Sequence, residues 1–340
     1  MEKSSQGLVN FANRSFSDIL SEGFRLFINN YKTLILPLAF FQVILIVLDT
    51  LLLTDLKVYI DSIGINVVSL MENLLQDVAL TPSEWNLISL FLLLSLVLLF
   101  LQNLIGAIVI TVAMCSVSNY VFRKLMHENP SFSSSFRSAF NKKILIVIFI
   151  IGICLPFSSL LLYIPAIFVF TMFIFLIFTY NMEEIDKPIS EARRIAKGAS
   201  NKLKILGVFV FNFVIIFIFS FILNSIIDLL LNPSIVAFNY DIWLTTRNYG
   251  SLILYQILIN LANILLAPLF ICLITALFAS LKAKRELGFH YPRKAYPVKE
   301  ENALTLGIEG RFYCPYCGIL IDRLERFCPR CGEDLSVLIK

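Results

Sequence analysis

Four of the seven cysteines lie close together near the end of the chain, with a spacing that suits metal binding. They form two Cys-x-x-Cys-Gly units, Cys314 with Cys317 and Cys328 with Cys331. Thiolates two residues apart can bind one ion from the same side, and the following glycine permits a turn that directs backbone N–H groups toward sulfur. The pattern predicts one zinc ion held by four cysteines. Because this donor set leaves no open coordination position, we expect the zinc to be structural and not catalytic.

Residues 312–335 around these cysteines are expected to fold as a small β zinc ribbon. Ile319 to Ile321 and then Arg326 and Phe327 can form a hairpin between the two cysteine pairs. A core of this size is too small to be stable without a metal, but a structural zinc contributes on the order of 10–16 kcal/mol of binding free energy to folding. The segment resembles the zinc-ribbon modules at the ends of many archaeal and bacterial proteins. The alternatives, two disulfides or a redox pair, are disfavoured if the tail is cytoplasmic, where thiols stay reduced.

The rest of the chain has the composition of a membrane protein. Of the 340 residues, 58% are hydrophobic and only 15% are charged, and residues 86–122 and 144–180 carry no charge. A span needs about 20 apolar residues, so a soluble enzyme with a large aqueous core is excluded. We predict an all-α polytopic fold in residues 1–288, a cytoplasmic linker at 289–311 and the ribbon. The six predicted spans are 33–53, 86–113, 144–162, 165–180, 205–231 and 251–281.

The positive charges set the predicted orientation. Of the 28 Lys and Arg, all but Lys57 and Arg247 lie before span one, between spans two and three, between spans four and five, or after span six. Cytoplasmic loops retain positive charge, so both termini are expected in the cytoplasm of a multi-pass cell-membrane protein. Charged residues interrupt the first 30 positions, so no secretory signal peptide is expected.

Two uncharged stretches need separate interpretations. Residues 86–122 could form one long helix or a hairpin turning near Gln102, Asn103 and Gly106. We prefer one helix, because the preceding loop is acidic and the following loop is basic, and because Thr81 to Glu84 gives a capping box with proline at the first helical position. Residues 144–180 are instead expected to form a hairpin, with Pro156, Ser158, Ser159 and Pro165 at its turn. The acidic segment 55–85 has helical apolar spacing and is expected on the external surface.

Each cytoplasmic connection pairs a short amphipathic stretch with basic residues. The three stretches begin near Phe16, Phe132 and Ile189, and Ser15 with Asp18 forms a possible capping box for the first. Such helices lie in the headgroup layer and reach anionic lipid with Lys or Arg. They could act only as elbows that set the entry angle of each span, the reading we prefer, or they could bind lipid or a partner.

A family resemblance rests on three segments of this part of the chain. They are the opening Ser15 to Leu26 (SFSDILSEGFRL), the segment from Pro188 through Glu191 and Ala192 to Gly198, and the ending LFASLKAKRELG at 277–288. Residues 16–288 thereby resemble the membrane domain attached to some glycerophosphoryl diester phosphodiesterases and a broad group of six-helix prokaryotic membrane proteins. The resemblance implies a six-helix bundle. It implies no catalysis, because the phosphodiesterase site resides in a separate soluble barrel.

Polar residues within the spans form two stripes that are functional candidates. Span six carries Gln256, Asn260 and Asn263, and span five carries Asn224 and Asp228 after Ser220. They could line a cavity for a polar substrate or lipid headgroup, or form interhelical hydrogen bonds, which we prefer. No phosphate loop, metalloprotease motif or close pair of intramembrane carboxylates appears, so we do not expect an enzyme.

The expected function is that of a membrane scaffold or regulatory adaptor. A cytoplasmic protein partner would bind the ribbon, while the bundle sits in the lipid bilayer. Nucleic acid is a weaker candidate, because Glu325, Glu333 and Asp334 dilute the positive charge of the ribbon. The alternative is a transporter or lipid-handling protein with a polar cavity between spans five and six.

Overall fold

The computed structural model describes residues 11–12, 14–75, 80–160, 163–182, 185–231, 240–290, 312–313 and 320–321. Most of them are helical. In chain order the helices are α1 (Phe16–Leu75), α2 (Pro82–Leu125), α3 (Phe132–Ala139), α4 (Ile144–Val147), a π-helical segment (Ile148–Cys154), α5 (Leu155–Leu160), α6 (Tyr163–Phe173), α7 (Leu176–Thr179), α8 (Pro188–Ile195), α9 (Ala199–Leu231), α10 (Tyr240–Thr245), α11 (Tyr249–Ile259) and α12 (Leu261–His290). Two short strands follow, β1 (Phe312–Tyr313) and β2 (Leu320–Ile321).

Four of the described helices, α1, α2, α9 and α12, are long enough and apolar enough to cross a membrane. Helix α3 and residues 144–160 meet at a bend of 67°. Counted together as one element, they are also long and apolar enough to cross a membrane. The remaining apolar helices, Ile164–Thr179 and Tyr249–Ile259, are shorter. The all-α prediction for the bundle agrees with this architecture, which has four helices of span length where the sequence predicted six.

Helix α1 differs from the sequence prediction, because one unbroken helix of 60 residues replaces a connector, a span and a surface segment. At 1.5 Å per residue it is about 90 Å long, well beyond the thickness of a bilayer. In its far half, Ile63, Val67 and Leu70 pack against Ile88 of α2. The apolar stripe predicted to lie on the external surface is therefore covered by a neighbouring helix.

Helix α2 confirms the preference for one long helix over a hairpin. Its 44 residues run through Gln102, Asn103 and Gly106 without a break. The predicted cap is present: the Thr81 backbone N–H donates to the Glu84 carboxylate over 2.6 Å, and the Glu84 N–H donates to the Thr81 hydroxyl over 3.4 Å. Pro82 at the first position has no N–H that the helix would need.

Residues 144–180 leave and return to the same end of the molecule, as the hairpin prediction requires. Asn141 donates to the Asn181 side chain over 2.9 Å, so the two flanks meet. Of the predicted turn residues, Pro156, Ser158 and Ser159 lie in α5 and Pro165 lies in α6, while the two residues between these helices lie outside the described residues. Each serine hydroxyl donates to a backbone carbonyl three residues earlier, which satisfies it within a helix.

Span six was predicted as one helix but is interrupted at Asn260, between α11 and α12. The backbone there has φ −96° and ψ 11°, outside the helical range. Pro268 lies inside α12 without ending it.

Most buried residues lie at one end of the bundle, which we call the basic end. It comprises the start of α1 to residue 38, α2 from Thr111, residues 132–151, residues 174–208 and residues 269–285. Phe278 of α12 lies fully buried there and stacks on Phe178 at 4.5 Å between ring centroids. The other end of α1 and α2, with α10 and α11, is called the opposite end and has a smaller cluster centred on Ile63 and Ile88.

Candidate functional site

The strands bracket the first cysteine pair of the predicted zinc site. Strands β1 and β2 are antiparallel, with Phe312 opposite Ile321 and Tyr313 opposite Leu320. Cys314 and Cys317 belong to the connection between them, and these two cysteines, like Cys328 and Cys331, lie outside the described residues. The predicted hairpin partner of β2, Arg326 with Phe327, also lies outside the described residues.

In the described part of the chain, no group of three or more His, Cys, Asp and Glu could hold a metal ion. Cys115 and Cys272 are buried among apolar side chains, and Cys154 is half-buried. The predicted site at Cys314, Cys317, Cys328 and Cys331 therefore stays a prediction.

The polar residues of span six are brought together, but chiefly with one another. The Asn260 side chain donates to the Gln256 carbonyl oxygen over 2.9 Å, and the Asn263 side chain donates to the Asn260 side-chain oxygen over 3.1 Å. The three side chains lie on both sides of the interruption between α11 and α12, where the Asn260 backbone N–H also donates to the Gln256 carbonyl oxygen. This local role explains them without a ligand.

The polar residues of span five do not join that group through any hydrogen bond described in the structure. Asn224 is half-buried in α9, and Asp228 belongs to the same helix but its side chain is not described. Sequence analysis missed Asn212 of α9, which is 8% exposed and whose side-chain oxygen has no hydrogen-bond partner among the described residues. An asparagine in an apolar helix was the available signal, but Asn212 lay outside the two stripes.

A buried tyrosine that sequence analysis did not single out joins three elements of the basic end. The Tyr180 hydroxyl donates to the Ala139 carbonyl oxygen over 3.0 Å and lies 3.3 Å from the Cys115 carbonyl oxygen. Nearby, Ser118 donates to the Ile177 carbonyl oxygen and Thr179 donates to the Pro188 carbonyl oxygen. These contacts hold the hairpin end against α2, α3 and α8.

The basic connectors meet at this same end. Arg285 of α12 forms an ion pair with Glu191 of α8, and Lys282 lies over the Phe122 ring of α2 at 5.4 Å. The two basic residues outside the connectors are neutralised at the opposite end. Lys57 pairs with Asp49 and Arg247 pairs with Asp55, each over 2.6 Å. The contact raises the pKa of Arg247, because the Asp55 carboxylate accepts its hydrogen bond.

A cavity of about 710 Å³ opens at the basic end beside α8. Basic residues, here called its rim, and apolar residues, here called its wall, line it together. The basic residues that line it are Lys187, Arg193, Arg194, Lys197 and Lys202, and the apolar residues are Ile146, Met172, Pro188, Ile189 and Ala196. The sequence identified this stretch as an amphipathic connector but gave no sign that its charges surround a cavity.

Comparison of the chain with protein-family models, curated proteins and solved structures returns no match.

Proposed function

We propose that the protein is a membrane scaffold or regulatory adaptor that presents a cytoplasmic zinc ribbon to a soluble protein partner. The observation that carries this proposal is the strand pair around Cys314 and Cys317, which supports a ribbon, joined to four helices of membrane-crossing length. The zinc has a structural role in the proposal. It orders residues 312–335 so that their surface can bind the partner.

The proposed topology has six crossings and both termini in the cytoplasm. Two crossings beyond the four long helices would come from residues 144–180, whose flanks meet at the basic end. The gathering of basic connectors at that end supports a cytoplasmic position for it, because basic loops are retained there. The ion pairs of Lys57 and Arg247 support an external position for the opposite end, since both charges are neutralised. The resemblance to the phosphodiesterase-associated membrane domain also implies six helices.

The alternative is a transporter or lipid-handling protein with a polar cavity between spans five and six. The unpartnered oxygen of Asn212 favours it. The hydrogen bonds among Gln256, Asn260 and Asn263 favour the scaffold, because a substrate would have to compete with them.

The zinc site is tested by one substitution in the ribbon and one matched cysteine elsewhere. Purified full-length protein should contain about one zinc per chain. Cys328→Ser should lose most of it, because a hydroxyl cannot replace a thiolate donor, whereas Cys154→Ser in the π-helical segment should retain it. The partner captured by crosslinking in cells should be lost with the Cys328 variant alone. Zinc in a chain truncated after Gly310 would contradict the site.

The topology is tested with single cysteines labelled by a membrane-impermeant reagent in intact cells. Ser4→Cys and Ser336→Cys should be protected, whereas Ser62→Cys, on an exposed part of α1, should react. Labelling of either terminus from outside would overturn the six-crossing arrangement.

A further inference from the structure

We propose that the cavity beside α8 binds the anionic headgroup of a phospholipid, with the acyl chains against the exposed apolar surface of α6. This inference rests on the membrane placement proposed above, but not on the ribbon. The cavity volume of about 710 Å³ falls within the range of about 300–1,000 Å³ common for ligand pockets.

The first argument is charge. Five Lys and Arg line the cavity, and no Asp or Glu of the described residues does. In the part of the chain that the structure describes, none of the five forms an ion pair. The acid of α8 is directed elsewhere, because Glu191 pairs with Arg285. An anion entering the cavity would therefore meet positive charge that no described acid neutralises.

The second argument is that the basic side chains are not needed as hydrogen-bond donors to the carbonyl groups at the end of α8. The Asn201 side chain donates to the Ile195 carbonyl oxygen over 3.1 Å and to the Lys197 carbonyl oxygen over 2.8 Å. It thus satisfies groups that a lysine or arginine would otherwise cap. Gly198, with φ 104°, makes the turn between α8 and α9 that brings Lys197 and Lys202 to the same rim.

The third argument separates a lipid from a free phosphate. The wall of the cavity includes Met172 of α6. Phe168 lies one turn before Met172 on the same face of α6. Phe168 is 54% exposed, and the Lys202 ammonium lies 4.4 Å from its ring centroid. The basic rim therefore adjoins the exposed apolar surface of α6 at Lys202. A molecule with a phosphate and an acyl chain matches both, whereas a free phosphate matches the rim alone.

The test measures lipid binding to full-length protein in neutral detergent by native mass spectrometry. The probes are dioleoyl phosphatidylglycerol and dioleoyl phosphatidylcholine. The anionic lipid should bind more tightly, and a triple Arg193→Gln, Arg194→Gln, Lys197→Gln variant should weaken it about tenfold or more. The matched control is Arg137→Gln, Lys142→Gln, Lys143→Gln, which removes three exposed charges from the neighbouring connector and should change binding less than twofold.

Each outcome bears on the proposal. Equal losses in the two triple variants would attribute binding to net charge and overturn the site, as would equal binding of the two lipids. Displacement of the lipid by an equal concentration of inorganic phosphate would identify a free-phosphate site instead. All substituted side chains are exposed, so the variants should keep the elution volume and zinc content of the wild type. A failure of lipid binding with zinc and partner binding intact would leave the scaffold proposal standing.

Discussion

The basic end and the opposite end of helix α2 have similar apolar sequences but different surroundings. From Pro82 to Ile110, Ile88 is the buried residue, and Leu92 and Leu96 are 61% and 52% exposed. From Thr111 to Leu125 most residues are buried. Exposed leucine costs nothing against lipid, whereas burial against protein supplies dispersion contacts and hydrogen bonds. The comparison teaches that composition alone does not tell exposed apolar residues from packed ones.

The polar groups of the two ends also differ in burial. At the basic end, Tyr180 and Ser118 bond to backbone carbonyl groups inside packed protein. At the opposite end, Arg247 and Asp55 form an ion pair with both side chains more than half exposed. Exposed pairs contribute little to stability, whereas a buried donor that loses its acceptor is costly. We therefore expect stability to depend mainly on the basic end.

The largest effect is expected at Gly23, where α1 meets α12. A Cβ atom there would lie 2.8 Å from the Leu273 backbone Cα, so Gly23→Ala should force the helices apart and lower the free energy of unfolding by about 1–3 kcal/mol. At Gly106 of α2 a Cβ would meet nothing within 4 Å. Gly106→Ala should raise that free energy by up to about 1 kcal/mol, because alanine has the higher helix propensity.

Unfolding in dodecyl sulfate measures both glycine variants. The two changes in the free energy of unfolding should have opposite signs, although helix propensity favours alanine at both sites. Equal stabilisation would mean that α1 and α12 do not approach closely at Gly23.

A loss of comparable size is expected at Tyr180. Tyr180→Phe removes a buried donor and leaves the Ala139 carbonyl oxygen without it, which should cost about 1–3 kcal/mol in the same unfolding assay. Tyr59→Phe removes a hydroxyl from a side chain 53% exposed at the opposite end and should change stability by less than about 0.5 kcal/mol. Similar losses in the two variants would erase the proposed difference between the ends.

The smallest effect concerns two capping boxes, one at each end. Hydrogen bonds from Ser15 lower the pKa of Asp18, and hydrogen bonds from Thr81 lower the pKa of Glu84. Because each pKa is lower in the folded chain, each cap stabilises its helix above the ordinary carboxyl pKa. That stabilisation is lost as the pH falls through the lowered value.

Hydrogen exchange can follow both caps as the pH falls. Protection of the first-turn amides, divided by that in Asp18→Asn or Glu84→Gln, should decline toward one at both ends. Dividing by the variant removes the pH dependence of exchange itself. A ratio of one at neutral pH would show that the cap contributes nothing.

Local patterns allowed several elements to be predicted. The start of α2 followed from Thr81, Pro82 and Glu84, because a cap depends on residues within one turn. The short connector helices α3 and α8 followed from their spacing of apolar residues. The metal-ligand set at Cys314, Cys317, Cys328 and Cys331 stays a prediction, since those residues lie outside the described part of the chain.

Other features depended on contacts between distant segments. The apolar stripe at Ile63 and Val67 could have faced lipid or protein, and only its packing on Ile88 decided between them. A straight helix would also place the side-chain amides of Gln256, Asn260 and Asn263 on one face. Their spacing alone therefore could not predict the break at Asn260.

Sequence by itself determined the apolar helical class, the caps and the clustering of basic residues in connectors, because each depends on composition or on neighbours within a turn or two. Tertiary structure decided which apolar faces are packed, where Tyr180 finds its acceptors, and that Arg193, Lys197 and Lys202 surround one cavity. Those properties arise when helices far apart in the chain meet, and their relative positions follow from the packing of the whole bundle.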